Sequence, residues 1–160
     1  MQKNEFKDFC HDEFKRYGFK KQKSMYYRYS AEGLLCSLSL QGGCNYYYIN
    51  CDFFIGQYGK PEQYPSQYEA DIFGRPISVL SRDTFKGEHY MTALIEYEKY
   101  ASEELKPFFT RAFEELILPP LQIGKNELLK HLLNDDDWDF TDLSIKSKED
   151  RLNHWNLLNP

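Results

Sequence analysis

The sequence predicts an α+β fold: an N-terminal helix packed on an antiparallel three- to five-stranded meander, followed by a helical C-terminal half. Three patterns in its 160 residues predict this fold. Apolar residues recur every three or four positions in the first 17 residues, which is the period of a helix. Apolar and polar residues then alternate between residues 24 and 55, as they do in strands. Helical spacing returns after residue 89.

The first helix is predicted over residues 4–17. Its apolar stripe consists of Phe6, Phe9, Cys10, Phe14 and Tyr17. The side chain of Asn4 can cap the first turn, and Gly18 can adopt the left-handed backbone conformation that ends many helices. We therefore expect one face of this helix to be buried against the strands that follow it.

Three strands are predicted over residues 24–29, 34–41 and 46–55, and the short loops between them allow only antiparallel pairing. In the second and third strands, alternate apolar residues share one face: Leu34, Cys36, Leu38, Leu40, Tyr47, Ile49, Cys51 and Phe53. Because this face must be buried, we expect the helix to cover it. The predicted centre of the core is Phe6, Phe9, Phe14, Leu38, Leu40, Ile49 and Phe53.

The remaining chain is predicted to contain one loop, one short strand and several helices. Residues 56–71 are rich in Gly, Pro and Gln and predict the loop, and alternation predicts a short strand over residues 74–80. Helices are predicted over residues 89–105, 108–118, 126–133 and 147–157. We divide the chain into an α+β core domain, residues 1–118, and a helical C-terminal extension packed on that core, residues 119–160.

Composition excludes several classes of protein. A net charge of −5 and a pI near 5.4 disfavour a general nucleic-acid binder. No apolar run reaches the roughly 20 residues that a membrane helix needs, and the first residues have no apolar stretch typical of a signal peptide. We therefore expect a cytoplasmic protein whose four cysteines are free thiols. The Cys and His spacings match no metal site, and no cofactor motif occurs, so we expect neither a metal nor a cofactor.

Four short motifs follow one another along the first third of the chain. They are Gly18-Phe19-Lys20-Lys21, Tyr26-Tyr27-Arg28, Leu38-Ser39-Leu40-Gln41 and Tyr46-Tyr47-Tyr48-Ile49-Asn50. In this order they resemble a family of small bacterial proteins known as a domain of unknown function, over residues 5–80. Some members of that family lie beside toxin genes, so the resemblance implies an immunity-type role and no catalytic residues.

An acidic segment near the C-terminus is the predicted partner-binding site: Asp135, Asp136, Asp137, Trp138 and Asp139. Charge is unevenly distributed, because residues 1–60 carry a net charge of +3 and residues 61–160 a net charge of −8. Carboxylates steer a basic partner, and a Trp ring supplies a large contact area. We predict a non-catalytic, immunity- or antitoxin-like protein that occludes the basic active site of a protein partner. A solvated loop is the alternative interpretation of this segment.

The polar face of the sheet predicts a second kind of site. Its candidate residues are Arg28, Gln41, Tyr48, Asn50 and Asp52. Together with the basic residues between positions 15 and 28, they could bind a small ligand or a nucleotide. The alternative is that the C-terminal helices cover this face. A pocket lined by Arg28, Gln41 and Asn50 would favour the ligand.

An uncharacterised enzyme is the third hypothesis. Cys44, in a Gly-rich hairpin, is the best candidate nucleophile. Asp52, or Glu88 with His89, could supply acid–base chemistry. The four histidines are scattered over different predicted elements and match no local catalytic motif. The oligomeric state is left open by the sequence.

Overall fold

A computed structural model describes residues 1–30, 33–55, 64–124 and 138–140; for Ile55 and residues 138–140 it describes the backbone alone. The chain has an α+β fold. Its helices are α1 (Lys3–Arg16), α2 (Ser102–Ala112) and α3 (Leu118–Ile123). Its strands are β1 (Lys20–Gln22), β2 (Met25–Tyr29), β3 (Leu34–Gly42), β4 (Tyr47–Ile55), β5 (Ile72–Gly74), β6 (Val79–Phe85), β7 (Glu88–Thr92) and β8 (Trp138–Phe140).

Helix α1 confirms the first predicted helix, although its start differs. Gln2 caps the helix: its backbone N–H donates to the carboxylate of Glu5 at 2.7 Å. The helix therefore begins at Lys3, one residue before the predicted start. Asn4 therefore lies inside the helix, and its predicted capping role is wrong. Gly18 follows with a φ of +83°, the left-handed conformation expected after a helix end.

The main sheet is antiparallel with the strand order β1-β2-β3-β4-β5-β8. Strands β3 and β4 form its centre, with Leu38 opposite Cys51 and Ser39 opposite Asn50. Because side chains alternate, the sheet has an inner face, which includes Leu38, and an outer face, which includes Asn50. Strands β1 and β8 have no counterpart among the predicted strands, and β8 lies in the predicted acidic segment.

The inner face packs against α1 and the C-terminal helices. Phe6 stacks on Tyr47 with ring centroids 5.5 Å apart, and Phe113 stacks on Tyr17 at 4.2 Å. Of the seven residues predicted as the centre of the core, five are fully buried: Phe6, Phe14, Leu38, Ile49 and Phe53. Phe9 and Leu40 are half-buried at the edge of the same cluster.

Residues 74–105 differ most from the prediction. The strand predicted over residues 74–80 is divided between the end of β5 and the start of β6, which belong to different sheets. The helix predicted over residues 89–105 is wrong. Residues 79–92 form the hairpin β6–β7, Tyr97–Lys99 forms a 3-10 turn, and α2 begins at Ser102.

The helical segment over residues 102–123 continues through three prolines, Pro107, Pro119 and Pro120. Pro107 lies inside α2. Before Pro119 and Pro120, residues Phe113–Ile117 widen into a π-helical turn that leads directly into α3. A wider turn makes room for a proline ring that lacks an N–H donor.

The predicted domain boundary after residue 118 falls at the start of α3, in which Leu118 and Leu121 are buried in the core. The helices predicted at 126–133 and 147–157 lie outside the described residues. No helix among the described residues is both long enough and apolar enough to cross a membrane. All four cysteines are free thiols, three of them buried and Cys44 exposed.

Candidate functional site

The outer face of the main sheet carries a row of polar side chains. The pairing of β3 with β4 places Ser37 opposite Asp52, Ser39 opposite Asn50, and Gln41 opposite Tyr48. Helices α1 and α2 lie on the inner face. The outer face is partly covered by residues 64–71, where the Tyr27 hydroxyl donates to the carbonyl of Pro65 at 2.9 Å. Around Gln41 and Tyr48 the face stays partly open to solvent.

Arg75, which follows β5 directly, joins the polar side chains into one cluster. Its Nε donates to Asn50 Oδ1 at 3.0 Å, and its Nη2 donates to Gln41 Oε1 at 3.1 Å. Asn50 Nδ2 also donates to Gln41 Oε1, at 3.0 Å. The guanidinium lies over the Tyr48 ring, 4.1 Å from its centroid. These contacts hold the planar fork of Arg75 in one orientation.

Asp52 lies beside this cluster and is almost completely buried, with 2% of its surface exposed. The Ser37 hydroxyl donates a hydrogen bond to its carboxylate at 3.4 Å. Burial disfavours the charged carboxylate and raises the pKa of Asp52 to about 7, although the Ser37 hydrogen bond acts in the opposite direction. Asp52 therefore exchanges its proton near neutral pH.

These side chains surround a shallow pocket of about 260 Å³ on the outer face. It is lined by Gln41, Asn50, Asp52, Gln67, Phe73 and Arg75. We call it the outer-face pocket. It combines a fixed cation, two amide groups and a carboxyl group of raised pKa, which is a set suited to binding a charged polar group.

Four of the five residues predicted for the ligand face come together: Gln41, Tyr48, Asn50 and Asp52. Arg28 does not join them. It lies opposite Cys36, on the inner face of the sheet, and its guanidinium donates to the carbonyl of Tyr17. Arg28 therefore does not share a pocket with Gln41 and Asn50, because residues 28 and 41 point to opposite faces of the sheet.

Sequence reasoning missed Arg75. It is 34 residues from Gln41 in the chain, and no periodic pattern connects the two. The available signal was its position at the start of the short strand predicted over residues 74–80, since an arginine at a strand end can reach over the polar face of the neighbouring strand.

Arg28 instead lines a second cavity, of about 600 Å³, at the edge of the sheet. Its other described lining residues are Gly18, Lys20, Tyr27, Tyr29 and Tyr64. Part of the predicted basic segment therefore does meet aromatic side chains, as the nucleotide hypothesis requires.

The hairpin β6–β7 forms a second exposed surface. Four of its large apolar side chains are exposed: Leu80 (43%), Phe85 (67%), Tyr90 (44%) and Met91 (51%). We call these four residues the hairpin surface. Leu80 and Met91 are directly opposite each other in the ladder and share one face of the hairpin, whereas Phe85 and Tyr90 lie on the other face. Lys86 and Gly87 form its turn with φ values of 52° and 83°.

The base of the hairpin is tied to the segment that precedes α2. Arg82 pairs with Glu104 and lies over the Tyr100 ring, 5.2 Å from its centroid. Lys99 Nζ lies 2.9 Å from a carboxylate oxygen of Asp83 and 2.8 Å from one of Glu96. Hydrogen bonds with Glu96 and Asp83 raise the pKa of Lys99, and the Lys99 ammonium lowers the pKa of Asp83. Charged side chains therefore lie at the base of the hairpin that carries the exposed apolar residues.

The predicted acidic segment is described only in part. Asp135, Asp136 and Asp137 lie outside the described residues. Trp138 and Asp139 belong to β8, whose backbone pairs with β5 so that Trp138 is opposite Gly74 and Asp139 opposite Phe73. The partner-binding role of these five residues stays a prediction.

The candidate catalytic residues lie in separate places. Cys44 is exposed, and its carbonyl accepts a hydrogen bond from the Tyr97 hydroxyl at 2.8 Å. His89 Nδ1 lies 2.8 Å from the carbonyl of Ser81. Within the described ranges, no group of three or more His, Cys, Asp or Glu side chains is arranged to hold a metal ion.

Comparison of the chain with protein-family models, with curated proteins and with solved structures found no match. The resemblance to a bacterial family through four short motifs therefore stays a prediction.

Proposed function

We propose that this protein is a non-catalytic, immunity- or antitoxin-like protein that binds a basic protein partner and occludes the partner's active site. The observation that carries the proposal is the hairpin surface. Monomeric proteins usually expose large apolar side chains singly, whereas here four are exposed on one hairpin, two on each of its faces. Aromatic residues and Met are the types enriched in protein interfaces.

The charge around the hairpin supports a basic partner. Residues 82–104 contain six acidic and three basic side chains. Two of the three basic ones, Arg82 and Lys99, are already paired with carboxylates. A partner with an exposed cationic site would meet complementary charge at the rim and apolar contact at the centre. A protein that cuts nucleic acid has such a site, because it must bind phosphates.

The test is the binding of the neighbouring gene's product to wild-type protein and to the variants Phe85→Ser and Met91→Ser, measured by biolayer interferometry. We expect each variant to weaken binding about tenfold or more, as loss of a central interface residue does. Ile123→Ser is the matched control, because Ile123 is 65% exposed but lies at the end of α3. Inhibition of the partner's enzymatic activity by wild-type protein is measured in parallel.

Two results would contradict the proposal. If the neighbouring gene's product does not bind, the immunity role is wrong. If it binds equally well to wild type, Phe85→Ser and Met91→Ser, the hairpin is not the contact surface, and the acidic segment from Asp135 to Asp139 becomes the next region to substitute.

A further inference from the structure

Arg75 is a fixed cation whose binding capacity is only partly used. A guanidinium has five N–H donors, and Asn50 and Gln41 accept two of those of Arg75. Both acceptors are neutral amide oxygens. Within the described ranges Arg75 forms no ion pair with a carboxylate. Among the described side chains, its positive charge is therefore held in place without a carboxylate partner.

The Arg75 guanidinium lines the outer-face pocket. Tyr48 lies against one face of the guanidinium, and the Phe73 ring centroid is 6.0 Å away. Aromatic rings restrict the competition from water without neutralising the charge. An arginine fixed in this way is pre-organised, so less side-chain entropy is lost when a ligand binds.

We propose that the outer-face pocket binds an oxyanion, a carboxylate or a phosphate group, through the N–H donors of Arg75 that Asn50 and Gln41 leave free. Gln41 and Asn50 are positioning residues, since they orient the guanidinium through their amide oxygens. A pocket of about 260 Å³ accommodates a group of this size. This site lies on the sheet and not on the hairpin. A negative result for oxyanion binding would therefore not contradict the proposed protein-binding function.

Asp52 makes this site sensitive to pH. Its ionised form would repel an oxyanion in the same pocket, whereas its protonated form can donate a hydrogen bond to one. The other ionisable groups of the described residues near this region are Arg75 and Tyr48, which lies against its guanidinium, and Tyr27, whose pKa is raised mainly by burial. Tyr29, Tyr64 and Glu69 lie around Tyr27. An oxyanion should therefore bind more tightly below the pKa of Asp52 than above it, and its binding should be accompanied by proton uptake.

The experiment is an NMR titration of the full chain with two probes, inorganic phosphate and succinate. The signals followed are the side-chain amides of Gln41 and Asn50 and the Nε–H of Arg75. We expect saturable shifts with at least one probe, and binding about tenfold or more weaker in Arg75→Gln, the usual effect of losing a charge-assisted hydrogen bond. Arg111→Gln is the matched control, because Arg111 carries the same charge on the solvent-exposed side of α2.

Each outcome decides the proposal. Saturation by phosphate alone identifies a phosphate site, and saturation by succinate alone identifies a carboxylate site. Absence of saturation with both probes, or equal weakening by Arg75→Gln and Arg111→Gln, would overturn it. If Arg75→Gln does not fold, Asp52→Asn replaces it. That variant should keep the binding above neutral pH that wild type loses, and binding with the same pH dependence as wild type would overturn the proposal.

Discussion

At the scale of single residues, the contrast between Asp52 and the exposed carboxylates shows how burial decides chemistry. Asp83 is solvent-exposed and paired with Lys99, which lowers its pKa. Asp52 is buried with one long hydrogen bond, and its pKa rises to about 7. The sequence predicts Asp52 on the polar face, but the burial that raises its pKa depends on tertiary packing, including residues 64–71, which cover part of that face.

Asp52 should make the folded state less stable as the pH rises from about 4 to 7. An aspartate in an unfolded chain has a pKa near 3.9, so the folded state binds more protons over this interval. The stabilisation that protonated Asp52 contributes is therefore fully present below the pKa of the unfolded chain and is lost as the pH rises through the pKa of the folded state. The loss amounts to about 4 kcal/mol at most for a pKa difference of this size. Urea unfolding at a series of pH values measures it.

Asp52→Asn provides the comparison, because it keeps the shape and removes the ionisation. We expect this variant to lack the decline and to be more stable than wild type above neutral pH. Asp83→Asn should leave the decline unchanged, since Asp83 is exposed. Parallel pH profiles for wild type and Asp52→Asn would show that Asp52 does not titrate in this range.

At the scale of secondary structure, the sequence predicts an element correctly where the spacing of its apolar residues matches the face that is buried in the fold. Helix α1 and strands β3 and β4 are of this kind. The helix predicted over residues 89–105 fails because long-range pairing overrides local spacing. Ile95 exchanges two backbone hydrogen bonds with Tyr47, at 2.9 and 3.0 Å. No local pattern reveals a partner 48 positions away. The contact of Arg75 with Gln41 could not be predicted for the same reason, because 34 positions separate the two residues.

The turn at Lys86–Gly87 is the local feature that favours the hairpin over a helix. Gly87 has a φ of +83°, and a Cβ at this position would meet no atom within 4 Å. Gly87→Ala should therefore destabilise the protein by about 1 kcal/mol through backbone strain and not through a clash. Thermal unfolding measures the effect. Gly87→Asn should cost less, because Asn tolerates the left-handed region better. Equal stability of Gly87→Ala and wild type would indicate that this turn is not formed.

At the scale of the whole molecule, one hydrophobic core joins helix α1 to the helices after residue 101, with buried residues from Phe6 to Leu121. Leu38 and Phe53 are fully buried on the inner face, between α1 and the C-terminal helices. Replacing either with Ala should destabilise the protein by about 2–5 kcal/mol, the usual cost of a large-to-small core substitution. Chemical denaturation measures this, with Ile123→Ala as the exposed control. A loss below about 1 kcal/mol at both positions would mean that the assigned sheet faces are reversed.

Charge asymmetry is the other property of the whole chain, and it determines how a basic partner should approach. Residues 61–160 carry a net charge of −8, against +3 for residues 1–60. Because exposed charges are screened beyond a Debye length of about 8 Å at physiological ionic strength, association with a basic partner should slow sharply as salt is added. The acidic segment supplies three adjacent carboxylates, Asp135, Asp136 and Asp137.

Replacing these three aspartates together with Asn tests whether they steer the partner. After circular dichroism has shown that the variant is folded, the association rate with the neighbouring gene's product is measured at two salt concentrations. We expect a slower association at low salt and a shallower salt dependence, while the dissociation rate changes little, because exposed charges act mainly on encounter. Unchanged rates and an unchanged salt dependence would eliminate the acidic segment as the steering surface. Asp83 and Glu88, on the hairpin itself, would then be the next carboxylates to replace.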